Sequence, residues 1–277
     1  MAPPPGAREL SGVPRLPILL GVPFDAASSF RRGPAGAPPA IRAAMLSDAH
    51  NLWSEQGVDL GVRGTFGDAG DLVLGAEPRA AITRGVATVI ASGGRPLVLG
   101  GDHSITHPVL ETVRPHHARL SILHLDAHND LYEDFDGDRH SHACPFARIM
   151  EAGLCDQLVQ VGIRSMTGHQ REQAERFGVE VIDMRRWVAG ERPRLRHPVY
   201  VSLDVDVLDP AFAPGVSHRE GGGLTTREVL TLLHGIDVPV VGADLVEYNP
   251  TRDLDEVTAS TCGKLLKELL ATLVLHP

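Results

Sequence analysis

"LSILHLDAHND", residues 120–130, runs from apolar residues straight into a cluster of carboxylates and imidazoles. Residues 120–125 are too few for a stable helix and read as a strand buried on both faces. Asp126, His128 and Asp130 follow at a period of two, which aims alternate side chains the same way while the chain is still extended. A buried strand that ends in charges needs a reason for holding them together.

Six further runs have the same character: "PILLGV" from 17, "RPLVLGG" from 95, "LVQVGIR" from 158, "VEVIDM" from 179, "PVYVSLDVD" from 198 and "PVVGADLVE" from 239. Helical patterns separate them, so the sequence predicts an α/β fold with a parallel sheet covered on both faces. Two helices carry their own signals. Thr225 and Glu228 fit a capping box before "VLTLLHGI". Leu265, Leu266, Leu269, Leu270 and Leu273 repeat at helical spacing, as expected of a terminal helix docked on the sheet. No internal repeat or composition break divides the 277 residues, which predicts a single domain, with the Pro- and Gly-rich residues 1–16 as a loose lead-in.

A net charge of −9 without any basic run speaks against a nucleic-acid partner. No apolar segment is long enough to span a bilayer and no secretory core is evident, so a soluble, cytoplasmic protein is expected. Cys144, Cys155 and Cys262 form neither a disulfide framework nor a zinc knuckle.

Four strands run into polar clusters: "GGDHS" at 100–104, "DAHND" at 126–130, "DVDVLDP" at 204–210 and "DLVEYNP" at 244–250. In open α/β sheets the carboxyl ends of strands surround the ligand crevice, so these clusters are expected on one rim. His103, Asp126, His128, Asp130, Asp204 and Asp206 together supply two imidazoles and four carboxylates. Like charges at such density cannot all stay ionised without cations. Mixed nitrogen and oxygen donors without thiolate suit a metal such as Mn²⁺, and six ligands suit two ions sharing carboxylates. Such a pair would activate water for hydrolysis of a phosphoester or a carbon centre. Neither a Walker-type loop nor a G-x-S-x-G elbow offers another nucleophile.

With "GGDHS", "DAHND" and "SLDVDVLDPAFAPG" (202–215) in order, and "SHACPFARIMEAG" and "VEYNPTRD" beside them, the chain resembles the ureohydrolase family of arginases and agmatinases from about residue 18 onward. The "PGVSH" form and "VGIRS" lie nearest its agmatinase and plant-type arginase branch. The resemblance implies a three-layer α/β/α sandwich around a mostly parallel eight-stranded sheet. It also implies two Mn²⁺ ions and hydrolysis of a guanidino group to urea and an amine. One ion would be held by His103, Asp126, Asp130 and Asp204, the other by Asp126, His128, Asp204 and Asp206, with Asp130 also aligning the attacking water. His142 would shuttle protons and Glu247 would pair with the guanidinium. Tyr132 and His218 are expected near the substrate.

The expected substrate is a small cationic guanidino compound. Agmatine, giving putrescine, and arginine, giving ornithine, lead; guanidinobutyrate and guanidine stay open. A metal-dependent amide deacetylase of the same fold is the alternative enzyme, and a metal-binding or assembly protein that kept the scaffold is the non-enzymatic one. The family commonly forms trimers or hexamers, so a homo-oligomer is expected.

Overall fold

The computed structural model describes residues 16–277; the expected N-terminal lead-in lies, but for Leu16, outside the described residues. In these residues eight strands form one sheet: β1 (Pro17–Gly21), β2 (Gly67–Asp71), β3 (Arg95–Leu99), β4 (Ser121–Leu125), β5 (Gln157–Val161), β6 (Glu180–Ile182), β7 (Val199–Asp204) and β8 (Val240–Val246). Their order is β2-β1-β3-β8-β7-β4-β5-β6, and every pairing is parallel. All eight carboxyl ends therefore open on the same rim.

Among the described residues eight α-helices cover the sheet: α1 (Ala37–Met45), α2 (Pro78–Ala91), α3 (Thr106–Val113), α4 (Pro145–Glu151), α5 (Gly168–Phe177), α6 (Met184–Val188), α7 (Thr226–His234) and α8 (Val257–Leu275). Period-two alternation divides each central strand between two cores. Leu97 and Leu99 of β3 and Leu123 and Leu125 of β4 face Ile41, Trp187, Val229 and Leu266 from α1, α6, α7 and α8. Val98 and Ile122 face the other way, toward Val86, Val109, Phe146 and Ala174 from α2, α3, α4 and α5. Strands apolar on both faces are what this three-layer arrangement demands.

The seven apolar runs become β1 and β3 to β8. The eighth strand, β2, was not evident from sequence, because "GDAGD" has no branched apolar residue. It is an edge strand, paired only with β1, and Arg42 of α1 holds it through Asp68 at 2.8 Å and through Asp71. The capping box forms: Thr225 Oγ1 accepts from the Glu228 N–H at 3.1 Å, and Glu228 Oε2 accepts from the Thr225 N–H at 2.8 Å. The five leucines of α8 are buried, so the helix docks on the sheet as expected. Among the described residues no helix is long and apolar enough to cross a membrane.

Candidate metal centre

The rim gathers the residues that the sequence singles out. His103 opens a 3-10 turn (His103–Ile105) just past β3, capped by Asp102, whose carboxylate accepts from the Ser104 N–H at 3.1 Å. Asp126 follows β4 and accepts from the His128 N–H at 2.7 Å. Asp204 ends β7, and its Oδ1 accepts from the Asp206 N–H at 2.7 Å, fixing the turn that carries Asp206. Asp130 and Glu247 have φ of 48° and 64°, a left-handed backbone that costs an ordinary residue energy and tends to persist where function requires it.

Three carboxylate oxygens surround Nδ1 of His103: Asp130 Oδ2 at 3.0 Å, Asp126 Oδ2 at 3.2 Å and Asp204 Oδ2 at 3.2 Å. Despite this proximity, Nδ1 is buried and forms no aligned hydrogen bond. The far side of the ring fixes the tautomer. Ser202 Oγ donates to Asp244 Oδ1 at 2.7 Å, so its oxygen accepts from His103 Nε2–H at 2.9 Å and the lone pair is left on Nδ1. One lone pair and three carboxylates converge on a point, and adjacent donors around an ion with bonds of about 2.1 Å sit about 3 Å apart. These residues fit a hard divalent cation. The same carboxylates outweigh burial and raise the pKa of His103, so a proton and a cation compete for one place.

Nearby, His128 Nδ1 lies 3.1 Å from Asp206 Oδ2 and 3.4 Å from Asp126 Oδ1, which makes a second donor group sharing Asp126 with the first. Burial, and then the charge of Asp126, raises the Asp130 pKa to about 7, and Asp204 and Asp206 are also raised. Divalent cations would reverse that repulsion.

Sequence reading missed the supports of this cluster. Asp244, fully buried on β8, accepts from Ser202, from the Tyr200 hydroxyl at 2.9 Å and from Thr106 Oγ1 at 2.9 Å. His124, in the first donor group, donates from Nε2 to Asp126 Oδ2 at 2.8 Å, because Gln160 Nε2 occupies its Nδ1 at 3.0 Å while also donating to the Asn129 carbonyl. Burial lowers the His124 pKa to about 4, so it stays a neutral donor. His124 shares the parity of Asp126 and His128, a signal that was available in the sequence. Because outer hydrogen bonds orient metal ligands, Ser202→Ala is expected to weaken metal affinity by about 10- to 100-fold without unfolding the chain. Metal titration followed by calorimetry, beside circular dichroism, checks this.

The cluster opens into a cavity of about 250 Å³ lined also by His142, Glu247, Tyr132 and His218. His142 Nδ1 lies 2.8 Å from Glu247 Oε1, which also accepts from the His103 N–H at 2.9 Å. Burial opposes charge on His142, but Glu247, helped by Asp102 and Asp130, outweighs it and raises the pKa to about 9. The Ser29 N–H, 3.1 Å from Nε2, pulls the other way by requiring a lone pair there. Glu247 thus favours the charged ring, and the Ser29 N–H favours the neutral one.

The His218 ring lies 5.2 Å from that of His142 and 5.9 Å from that of His128, with Phe30 at 5.5 Å beyond it. It thus both lines the cavity and packs on its neighbours. Tyr132 stacks on His169 at 5.9 Å. His140 is exposed. Burial pushes the Cys144 thiol up to about 12, which leaves it inert.

The Gly221-Gly222-Gly223 run is held rather than loose. Asp209 Oδ2 accepts from the N–H groups of Gly222 at 2.6 Å and Gly223 at 3.2 Å. Arg164 donates to the carbonyls of Asp206 at 2.7 Å and Glu220 at 2.8 Å, tying this loop to the turn that carries Asp206. A Cβ on Gly223 would meet the Asp209 backbone nitrogen at 2.6 Å and the Leu208 carbonyl carbon at 2.7 Å, so the close approach requires glycine.

A parallel α/β sheet with an acidic and imidazole cluster at its carboxyl rim defines the class, an α/β protein with a site able to bind metal. The family model for the Arginase family matches residues 17–272, and the chain belongs to that family. It is 46% identical over 284 residues to "Arginase 1, mitochondrial" of Arabidopsis thaliana, covering 95% of this chain and 83% of that protein. It is 35% identical to the agmatinase of Bacillus subtilis, over 91% of this chain and 90% of that one. The solved structure of the arginase from Medicago truncatula superposes with a TM-score of 0.88 at 44% identity, over 95% of this chain and 89% of that chain. The protein is a ureohydrolase-type enzyme.

Proposed function

We propose that the chain is a binuclear, manganese-dependent amidinohydrolase that cleaves a guanidino C–N bond to release urea and an amine. Agmatine and arginine are its leading substrates. The observation that carries this reading is the convergence of Asp126, Asp130 and Asp204 on Nδ1 of His103, with the His142–Glu247 pair facing the same cavity.

His103, Asp126, Asp130 and Asp204 would hold one ion and Asp126, His128, Asp204 and Asp206 the other. When bound, the ions lower the pKa of a water and orient it toward an electrophile. Glu247 has Oε1 committed to His142 and His103, which leaves Oε2 to accept from the guanidinium and hold its plane. Asp130 aligns the attacking water. His142 exchanges a proton at Nε2, so that the departing nitrogen leaves as a neutral amine when the C–N bond breaks.

A deacetylase of this fold would use one catalytic zinc and fewer carboxylates, whereas two overlapping donor groups favour a pair of ions. The test is urea release by the Mn²⁺-loaded chain from agmatine, arginine, guanidinobutyrate and guanidine, with metal content measured on the same sample. About two ions per chain and urea from agmatine or arginine are expected. One zinc per chain with no urea would overturn the reading.

A further inference from the structure

Glu220 lines the same cavity but belongs to none of the donor groups. Its Oε1 lies 4.0 Å from Nε2 of His128, while Nδ1 of that ring faces Asp206 at 3.1 Å. The Glu220 carboxylate thus sits across the imidazole from the cluster, and its side chain is 43% exposed. The Glu220 backbone is fixed from behind, because Arg164 donates to its carbonyl from Nη2 at 2.8 Å and Nε at 3.2 Å. Among the described residues no hydrogen-bond donor meets its carboxylate, and no Lys or Arg lines the cavity.

The charges of the other acids are accounted for. The carboxylates of Asp126, Asp130, Asp204 and Asp206 offset two divalent cations, and Glu247 offsets a guanidinium. Glu220 remains, a partly exposed anion on the wall of the same cavity, whose nearest cationic group is the His128 ring at 4.0 Å. We infer that Glu220 is a specificity-determining residue that pairs with an ammonium at the far end of the substrate, favouring guanidino amines over guanidino acids. This inference rests on the function proposed above.

The test compares the Mn²⁺-loaded wild type with E220Q and E220D. On whichever guanidino amine turns over, E220Q is expected to raise KM about ten-fold with kcat within about two-fold, as loss of one partly exposed charge pair would do. KM for guanidinobutyrate should stay level or fall, and E220D, which keeps the charge, should lie near wild type. Calorimetry gives a readout that does not depend on turnover: 1,4-diaminobutane should bind wild type more tightly than butylamine does, and E220Q should erase the difference.

Unchanged KM values together with an unchanged diamine preference would overturn the inference. So would an equal loss on all substrates accompanied by lower manganese content, which would make Glu220 a support for His128. If no guanidino compound releases urea, the reading of the reaction fails, while the diamine comparison still decides the role of Glu220.

Discussion

Asp126→Asn is expected to abolish urea release, with kcat/KM falling by about a thousand-fold or more and bound manganese falling below one ion per chain. Asp126 is fully buried and stands between the two donor groups, with Oδ2 toward His103 and Oδ1 toward His128. Asparagine keeps the shape but replaces one oxygen by an amide that presents hydrogens to the place where a cation should sit. Both proposed ions would lose a shared ligand, so the loss should exceed the 10- to 100-fold typical of an outer partner. The substitution also puts the His124 Nε2–H against an amide in one of its two orientations. Circular dichroism and a thermal melt therefore accompany the kinetics and metal analysis. A folded variant that retains two ions and releases urea would sink the metal assignment.

Glu247→Gln is expected to lower kcat/KM by about a hundred- to a thousand-fold while leaving metal content near wild type. Neutralising one partner of a buried charge pair costs about 2–5 kcal/mol, and every 1.4 kcal/mol is about ten-fold. Glutamine can still accept from His142 and from the His103 N–H through its one oxygen, so the fold and the His103 turn should survive. What it loses is the negative charge proposed to face the guanidinium. Steady-state kinetics on agmatine and arginine, beside a metal assay, separate this outcome from collapse of the centre. Activity within ten-fold of wild type would remove Glu247 from substrate binding.

Much of the architecture was legible in the sequence, because strands buried on both faces must be predominantly apolar, as 120–125 and 198–203 are apart from Ser121, His124 and Ser202. The strand β2 was not, since its place depends on the Arg42 guanidinium gripping Asp68 and Asp71, a contact between distant segments. The rim residues stood out because acids at a period of two, closing a buried strand, repel one another unless a cation sits among them. Ser202, Tyr200 and Asp244 did not, because a hydroxyl or a single acid inside a buried strand looks ordinary until its partners are in view. Glu220 was equally silent, as its position is set by Arg164, which lies far away in the chain.

Because all eight described strands point the same way, the residues proposed to activate water and the residue proposed to choose the substrate sit on different loops of one rim. Within the loop through 211–224 the side chain of Glu220 can be exchanged while Asp209, Arg164 and Gly223 hold the backbone against the turn that carries Asp206. Diversification within such a lineage then needs only short stretches of coding sequence to drift, leaving the chemistry inherited intact.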